Sequence, residues 1–202
     1  MNRGPAKPSA RPPASRPPGV IRIIGGDWRG TKLSVPDRDG LRPTADRVRE
    51  TLFNWLQPML PGARVLDLFA GTGALGLEAV SRGAREAVLV ERDPALAEEL
   101  RRIAAKLPGG DRVQVVRADA LAWLQTAPGG FDLVFVDPPF AGDLWRTALA
   151  ALDARCADDA WLYVESAHDS EAVPGAAWRL HREGRTREVR YALYRRQPPS
   201  AS

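Results

Sequence analysis

The tetrapeptide Asp137-Pro138-Pro139-Phe140 combines a carboxylate, a rigid turn and an aromatic ring. The proline pair fixes the backbone and removes two amide donors, so carbonyl oxygens are left as acceptors beside the carboxylate of Asp137. A carboxylate and a carbonyl together can accept both hydrogens of an exocyclic amine on a nucleobase, which localises the nitrogen lone pair toward an electrophile. Stacking on Phe140 is worth roughly 1–3 kcal/mol and offsets the cost of unstacking the base. We interpret this segment as catalytic; the alternative is a turn with no chemical role.

A glycine-rich turn follows the short apolar run from Val65 to Phe69. The run predicts a strand buried on both faces, and a helix pattern begins after the spacing Gly71-x-Gly73-x-x-Gly76. Because glycine has no Cβ, the chain can turn sharply there and bring its backbone amides close to a ligand. A strand, a glycine turn and a helix N-terminus predict a nucleotide-type pocket, although a tight turn without a ligand has the same pattern.

Acidic residues end the next two predicted strands. Glu91 lies twenty positions after Gly71 (91 minus 71), where a carboxylate can accept hydrogen bonds from both ribose hydroxyls of an adenosine-containing ligand. Asp119, followed by Ala120, is placed to meet the exocyclic amine of adenine. Asp119 can equally cap the short helix after it, and the two roles are compatible. Asp67 can pair with a cationic ligand group or brace the amides of the glycine loop.

The segments that position these residues alternate between strand and helix patterns. Strands are expected at residues 64–69, 87–91, 113–116, 131–136 and 161–164, with helices between them. This order predicts an α/β fold with a parallel sheet, helices on both faces and right-handed crossovers. An antiparallel hairpin that turns at Glu183-Gly184-Arg185 is expected at the sheet edge. Ligands of such a sheet bind at the carboxyl ends of its strands, where these acids and glycines fall.

A basic hairpin is predicted near the N-terminus, around Gly25-Gly26-Asp27. Arg22, Arg29 and Lys32 lie close to Trp28, and this mixture of cations with an aromatic ring suits phosphate contact and base stacking. We assign these four residues to RNA binding. The alternative is an ordinary surface hairpin in which Trp28 is a packing anchor.

A helix with a cationic start is predicted next. Pro43 suits its entry and Thr44 can cap it, and apolar residues at helical spacing form one buried face. Arg42, Arg47 and Arg49 gather at its N-terminal end, where their charge opposes the helix dipole. We therefore expect a bound anion there and add Arg42, Thr44, Arg47 and Arg49 to the RNA contacts; a solvated face is the alternative.

Three segments resemble known motifs. The run from Asp67 to Gly76 looks like the first motif of S-adenosylmethionine-dependent methyltransferases. Asp137-Pro138-Pro139-Phe140 resembles the [Asp/Asn]-Pro-Pro-[aromatic] motif of their amine-methylating branch. The segment from Arg42 to Leu56, together with that from Asp67 to Ala79, is more specific. It is similar to the bacterial family that methylates the N2 amine of a guanine in small-subunit (16S) ribosomal RNA, and the likeness covers about residues 20–196.

This resemblance implies a seven-stranded Rossmann-like methyltransferase sheet, mostly parallel, preceded by a β-hairpin and a helix. It also implies S-adenosylmethionine as methyl donor and the assembling small ribosomal subunit as substrate. The expected donor contacts are Asp67, Phe69, Ala70, Gly71, Gly73, Glu91, Asp119 and Ala120. The expected catalytic residues are Asp137, Pro138, Pro139 and Phe140.

Three other functions remain open from the residues. An amine methyltransferase acting on adenine or on a protein glutamine usually has Asn before the two prolines, so Asp137 argues against it. An NAD-dependent oxidoreductase leaves the Asp137-Pro138-Pro139-Phe140 segment unexplained. A non-catalytic RNA-binding assembly factor has no need of the acids and glycines at the strand ends.

Composition and charge limit the cellular compartment and the class of protein. Cys156 is the only cysteine, which excludes a disulfide framework and fits a reducing cytoplasm. The sequence has no signal core and no apolar run of the roughly 18 residues that span a bilayer. The net charge is +4, and residues 1–20 alone carry four basic residues and no acid, so the basic pI is weak support for RNA binding. We expect a cytoplasmic monomer without a metal.

Four parts of the chain are expected. They are a disordered Pro/Arg-rich tail (1–18), an N-terminal RNA-binding hairpin and helix (19–62), the methyltransferase domain (63–196) and a frayed C-terminus (197–202).

Overall fold

The computed structural model describes residues 19–35, 46–139, 144–170 and 172–197. Its strands are β1 (Gly19–Arg22), β2 (Lys32–Val35), β3 (Arg64–Asp67), β4 (Glu86–Glu91), β5 (Val113–Arg117), β6 (Phe131–Val136), β7 (Cys156–Ala167), β8 (Trp178–Arg185) and β9 (Val189–Arg196). Its α-helices are α1 (Asp46–Leu56), α2 (Ala74–Ser81), α3 (Pro94–Ala104), α4 (Ala120–Thr126) and α5 (Leu144–Leu152). The expected tail 1–18, residues 198–202 and the predicted site residues Arg42, Thr44 and Phe140 lie outside the described residues.

The main sheet has seven strands in the order β5-β4-β3-β6-β7-β9-β8. Neighbours from β5 to β7 are parallel, whereas β9 is antiparallel to both β7 and β8. The predicted mostly parallel sheet with a C-terminal antiparallel hairpin is confirmed. The chain first adds β4 and β5 on one side of β3 and then adds β6 on the other side. The winding therefore reverses between β3 and β6, which is where a doubly wound sheet binds its ligand.

Helices cover both faces of this sheet because successive side chains of a strand point to opposite sides. In β6, Phe135 packs on the side of α1, α2 and α3, whereas Val134 and Val136 pack on the side of α4 and α5. Strands β3 and β6 are almost fully buried in the middle of the sheet. Their carboxyl ends are therefore held in fixed positions for a ligand.

The N-terminal hairpin pairs β1 with β2 in an antiparallel register, as predicted. Ile21 and Leu33 of this hairpin are buried in the same hydrophobic cluster as Val48 and Leu52 of α1. The hairpin and α1 therefore pack against the α2 side of the sheet. The predicted buried face of α1 is confirmed at Val48, Leu52 and Leu56, whereas the burial of Arg49 and Phe53 was not predicted.

The turn of the C-terminal hairpin differs from the prediction. Residues 183–185 belong to β8, and the chain turns after Thr186, whose hydroxyl oxygen accepts hydrogen bonds from the amides of Glu188 (3.2 Å) and Val189 (3.0 Å). Gly184 is instead needed for packing, because a Cβ there would lie 2.2 Å from the ring carbon Cζ of Tyr191. The prediction was wrong because a glycine that makes room for a ring has the same sequence signal as a turn glycine.

Candidate active site at the carboxyl edge of the sheet

The candidate site lies where β3 and β6 end side by side. Asp67 is the last residue of β3 and is paired with Phe135 of β6. Asp137 follows β6 directly, two residues beyond Phe135. Neighbouring strands are about 4.8 Å apart. The glycine loop after β3, which is predicted to bind the methyl donor, and the predicted catalytic segment Asp137-Pro138-Pro139 therefore leave the sheet at adjoining positions.

The glycine loop after β3 has the backbone that the motif predicts. Gly71 and Gly73 have φ angles of 54° and 75°, in the left-handed region that favours glycine. Gly73 immediately precedes α2, and a Cβ at this position would lie 2.4 Å from Cδ2 of Leu100. The amide of Ala70 donates to the carbonyl of Val90 over 2.9 Å. The loop is thereby bent across the end of β4, and a larger residue does not fit at Gly73.

Glu91 ties this loop to the next turn. It is buried, its Oε2 accepts a hydrogen bond from the amide of Gly71 (2.9 Å), and its Oε1 accepts one from the amide of Asp93 (2.7 Å). An ionised carboxylate can accept about four hydrogen bonds, so Glu91 keeps the capacity to accept from ribose hydroxyls. Its contact with a ligand stays a prediction.

Asp67 is a buried acid that braces the start of α2. Its Oδ2 accepts a hydrogen bond from the amide of Gly76 over 2.9 Å. The pKa of Asp67 is raised from 3.8 to about 7, chiefly by burial; the bond from Gly76 lowers it and the nearby charge of Glu91 raises it. Gly76 leaves no room for a side chain, since a Cβ there would lie 2.6 Å from Cδ1 of Leu89. A cationic ligand group beside Asp67 would favour its ionised form.

Asp119 caps helix α4. Its side chain accepts a hydrogen bond from the amide of Ala122 over 3.0 Å, and Ala120 begins the helix. The segment is held beside β4 because the amide of Ala118 donates to the carbonyl of Glu91 over 3.1 Å. Asp119 is exposed, so an additional adenine contact is sterically open and stays a prediction.

Two residues of β7 join the catalytic segment, although no sequence motif marks them. Asp137 is half-buried, Pro138 is buried, and the pairing of Val136 with Val164 puts Glu165 next to Asp137. Glu165 is buried and accepts a hydrogen bond from the hydroxyl of Tyr163 over 2.9 Å. The predicted strand ended at residue 164, one residue before Glu165, whereas β7 continues to residue 167.

Tyr163 is an uncharged hydrogen-bond donor to Glu165. Its burial, followed by the negative charges of Glu165 and Asp137, raises the pKa of its hydroxyl well above the usual value of 10.0. Its ring lies edge-on to that of Phe135, with centroids 6.1 Å apart. The hydroxyl therefore stays protonated and orients the Glu165 carboxylate.

The predicted RNA contacts of the N-terminal hairpin are only partly available. Arg22, Arg29 and Lys32 are exposed. Trp28 has an exposed fraction of 2%, and its Nε1 donates to the carbonyl of Pro108 over 3.0 Å. The prediction that Trp28 stacks on RNA is wrong in this structure, because its ring is a packing anchor between the hairpin and the segment after α3.

The cationic start of α1 is also only partly exposed. Arg47 is exposed, whereas Arg49 is fully buried. Nη2 of Arg49 donates to the carbonyl of Arg22 (2.9 Å) and to Oδ1 of Asp46 (2.6 Å). The prediction of a phosphate contact for Arg49 is wrong, because its guanidinium links α1 to the hairpin.

Helix α2 holds the loop between β1 and β2. Glu78 is fully buried, and its two carboxylate oxygens accept hydrogen bonds from the amides of Ile24 (2.7 Å) and Gly25 (2.8 Å). The hydroxyl of Ser81 donates to the carbonyl of Gly25 (2.6 Å) and accepts from the amide of Trp28 (2.9 Å). The hairpin is thus fixed to the helix whose other end follows the glycine loop.

A family model described as conserved hypothetical protein 95 matches residues 21–195. The chain belongs to this family. Ribosomal RNA small subunit methyltransferase D of Escherichia coli (strain K12) is 48% identical to it, over 91% of this chain and 94% of that protein. The protein of the same name from Haemophilus influenzae is 41% identical, over 87% of this chain and 94% of the other. The family resemblance read from the motifs is confirmed.

Two solved structures illustrate the likeness in fold. A putative methyltransferase from Escherichia coli superposes with a TM-score of 0.80 at 47% identity, covering 89% of this chain and 99% of that one. An RNA methyltransferase from Salinibacter ruber in complex with S-adenosyl-L-homocysteine has a TM-score of 0.62 at 15% identity, over 80% of this chain and 97% of that one. The second likeness shows the fold alone.

The described residues contain no group of three or more His, Cys, Asp and Glu side chains arranged to hold a metal ion. Cys156 is buried, and this burial raises the pKa of its thiol to about 12. None of the described helices is both long and apolar enough to span a membrane.

Proposed function

We propose that this protein transfers the methyl group of S-adenosylmethionine to the exocyclic N2 amine of a guanine in small-subunit ribosomal RNA. The observation that carries the proposal is the adjacency of two strand ends. The buried acid Asp67 ends β3, and Asp137-Pro138-Pro139 follows β6 beside it. Relatives that cover nearly the whole chain are named ribosomal RNA small subunit methyltransferase D, which supports the substrate class.

The residues at this edge fit S-adenosylmethionine. Gly71 and Gly73 let the backbone approach a ligand closely, and Cβ atoms at Gly73 and Gly76 would clash with Leu100 and Leu89. The Glu91 carboxylate would hold the ribose hydroxyls, and Asp67 would face a cationic part of the donor. Phe69, Ala70, Asp119 and Ala120 complete the proposed donor contacts. When bound, S-adenosylmethionine supplies an electrophilic methyl group on a positively charged sulfur.

The catalytic contribution of the chain is positioning and charge stabilisation. Asp137 and the Pro138 carbonyl accept the two hydrogens of the guanine amine, which localises the nitrogen lone pair and stabilises the positive charge that develops there. Asp137 is half-buried, so this interaction is stronger than it would be in water. The chain also accelerates the reaction by holding the guanine amine within reach of the bound methyl donor. Phe140 is proposed to stack on the base that has been turned out of the RNA.

The substrate approaches across a basic surface in this proposal. Arg22, Arg29, Lys32 and Arg47 are exposed and are proposed to contact phosphates, as are Arg42 and Thr44. We propose that the protein acts as a cytoplasmic monomer on small subunits during their assembly.

The direct test is transfer of radiolabelled methyl groups to small-subunit RNA, offered both naked and as particles, from cells that lack this protein. We expect one methyl group per RNA, on the N2 amine of a guanine, and no incorporation into the same RNA from wild-type cells. Label on adenine, on a protein or on neither RNA form would contradict the proposal.

A further inference from the structure

The C-terminal hairpin of β8 and β9 carries an excess of positive charge. Residues 178–196 contain seven arginines and two glutamates, a net charge of +5, whereas the whole chain has a net charge of +4. The rest of the chain is therefore slightly acidic in sum, although its N-terminal tail is basic. A local surplus of this size on a hairpin at the sheet edge is typical of a surface that binds an anionic partner.

Only part of this charge is used inside the fold. Arg190 is buried and bonds to Oε2 of Glu183 over 2.8 Å, and Arg196 donates to the carbonyl of Cys156 over 2.8 Å. The other arginines of the hairpin are exposed; they are Arg179, Arg182, Arg185, Arg187 and Arg195. In the described part of the chain, no carboxylate forms a salt bridge with Arg179, Arg182 or Arg195.

The strand register brings these three arginines to one face of the sheet. Arg179 of β8 lies directly opposite Arg195 of β9, and Arg182 lies opposite Leu193, two residues from Arg195. Like charges in directly opposite positions destabilise an antiparallel pair. A bound anion would remove this repulsion.

An aromatic side chain lies at the same place. Trp161 of β7 is paired with Arg195, whose guanidinium carbon lies 5.5 Å from the centre of the indole ring. The ring of His181 meets Trp161 edge-on at 4.9 Å, and a register shift between Leu180 and Arg182 leaves His181 as the extra residue. Cations beside an aromatic ring suit a nucleic acid, whose phosphates and bases they can both contact.

We propose that Arg179, Arg182 and Arg195, with Trp161 and His181, form a second RNA-binding surface, the C-terminal basic patch. It binds the phosphate backbone of the substrate RNA away from the methylated base. Trp161 precedes Glu165 by four residues of β7, or about 13 Å at about 3.3 Å per residue, so the patch contacts a different part of the RNA from Asp137. The inference rests on the proposed function in that the substrate is RNA.

The test compares two double variants with the same change of charge. Arg179→Glu with Arg195→Glu changes the patch, and Arg85→Glu with Lys106→Glu changes two exposed cations that form no salt bridge with another described residue, one just before β4 and one just after α3. Binding to unmethylated small-subunit RNA is measured over a range of salt concentrations. We expect the patch variant to bind at least about tenfold more weakly, and its salt slope to fall by about 1.5, because each lost phosphate contact removes about 0.7–0.9. The control should stay within about twofold of the wild type, a difference of about 0.4 kcal/mol.

Further measurements separate the possible outcomes. Arg179→Lys with Arg195→Lys keeps the charge and should retain the salt slope, and all variants should keep the donor affinity and unfolding temperature of the wild type. Equal RNA binding by both double variants would overturn the patch. Weaker binding to ribosomal particles with unchanged binding to naked RNA would also overturn it, since the partner would then be a protein. If the wild-type protein binds RNA through the patch but transfers no methyl group, the proposed function fails and the patch stands.

Discussion

The carboxyl edge of the sheet carries two pairs of acids that are held in different ways. On the donor side, Asp67 and Glu91 accept hydrogen bonds from backbone amides in the glycine loop, in the turn after β4 and at the start of α2. On the acceptor side, the Glu165 carboxylate is oriented by a side chain, the hydroxyl of Tyr163, and Asp137 is only half-buried. The donor side is therefore fixed as soon as strand, loop and helix form. The acceptor side also depends on contacts between side chains.

We expect this difference to separate the effects of variants on donor affinity from their effects on the rate of methyl transfer. Changes on the donor side should alter affinity for the donor or the stability of the fold, because the acids there are part of the backbone framework. Changes on the acceptor side should alter the rate of transfer and leave donor affinity almost unchanged. The following variants test that division, beginning with the largest expected effect.

Asp137→Ala should reduce transfer by about 10³-fold or more, because removal of one preorganised acceptor from a developing charge costs about 10²–10³ and the base also loses its anchor. Donor affinity, measured by calorimetry, should stay within about threefold, or about 0.7 kcal/mol. Asp137→Asn is the matched control and should retain more activity, because its amide oxygen still accepts one hydrogen. Turnover close to the wild type in the alanine variant would remove Asp137 from the mechanism.

Asp67 should make the protein less stable as the pH rises. Its carboxyl group has a pKa of about 7 in the folded state and 3.8 as a reference, so between these values only the unfolded chain releases the proton. This lowers the free energy of unfolding by up to about 4 kcal/mol from acid to neutral pH, and the loss is complete above pH 7.

The variant for this test is Asp67→Asn, which keeps an oxygen for the amide of Gly76 and does not ionise. Both proteins are unfolded with denaturant at a series of pH values between the reference pKa of 3.8 and the folded-state pKa of about 7. The free energy of unfolding of the wild type, relative to that of the variant, should fall as the pH rises through this range. The same slope in both proteins would show that Asp67 does not titrate as described.

Glu91→Gln should weaken donor binding by about 10–100-fold, or about 1.4–2.8 kcal/mol. The amide of glutamine has one acceptor oxygen where the structure uses two, for the amides of Gly71 and Asp93. The rate of transfer at saturating donor should change much less. A reduced rate with unchanged donor affinity would contradict the division between the two sides.

Gly73→Ala should lower the free energy of unfolding by about 1–3 kcal/mol, since it strains the backbone and puts a Cβ 2.4 Å from Leu100. Gly62→Ala is the matched control, because Gly62 has a similar φ of 78° and no atom within 4 Å of its Cβ position. The two proteins are compared by thermal unfolding and donor calorimetry. Equal losses would show that backbone strain, rather than close packing of the donor loop, decides the effect.

Tyr163→Phe should have the smallest effect, about a fivefold slower transfer, since it removes one hydrogen bond of about 1 kcal/mol and keeps the ring packed on Phe135. Donor affinity should not change. A variant that transfers at the wild-type rate would show that the orientation of Glu165 does not matter for the reaction.

The sequence predicts the sheet and the donor loop well because their signals are local. Alternating strand and helix periods lead to the mostly parallel sheet, and Gly71 and Gly73 have the positive φ angles that their motif requires. The predicted place of Asp67, Glu91 and Asp137 in the site depends only on their position at or just after the end of a strand. Parallel strands align such ends without any further information.

The burial of Trp28 and Arg49 could not be predicted in the same way. Trp28 is held by Ser81 and Pro108, which lie 53 and 80 residues away along the chain. Arg49 lies next to Glu78, whose carboxylate is itself taken up by backbone amides of the hairpin. A basic or aromatic residue has the same local pattern whether it faces solvent or a distant partner.

Glu165 and the C-terminal basic patch were missed for related reasons. Glu165 falls one residue beyond the predicted end of its strand, and its role becomes visible only through the register with β6. The basic patch is hidden in the net charge, because residues 21–177 have a net charge of −5 that cancels the +5 of residues 178–196, and the remaining +4 lies in residues 1–20. A count of charge by element would have found it.

The most direct test of the proposed site is a crystal structure of the protein with bound S-adenosylmethionine. We predict ribose hydroxyls within hydrogen-bonding distance of the Glu91 carboxylate and a methyl group directed toward Asp137 and the Pro138 carbonyl. A donor bound away from the ends of β3 and β6, or with its methyl group turned from the two prolines, would contradict this arrangement.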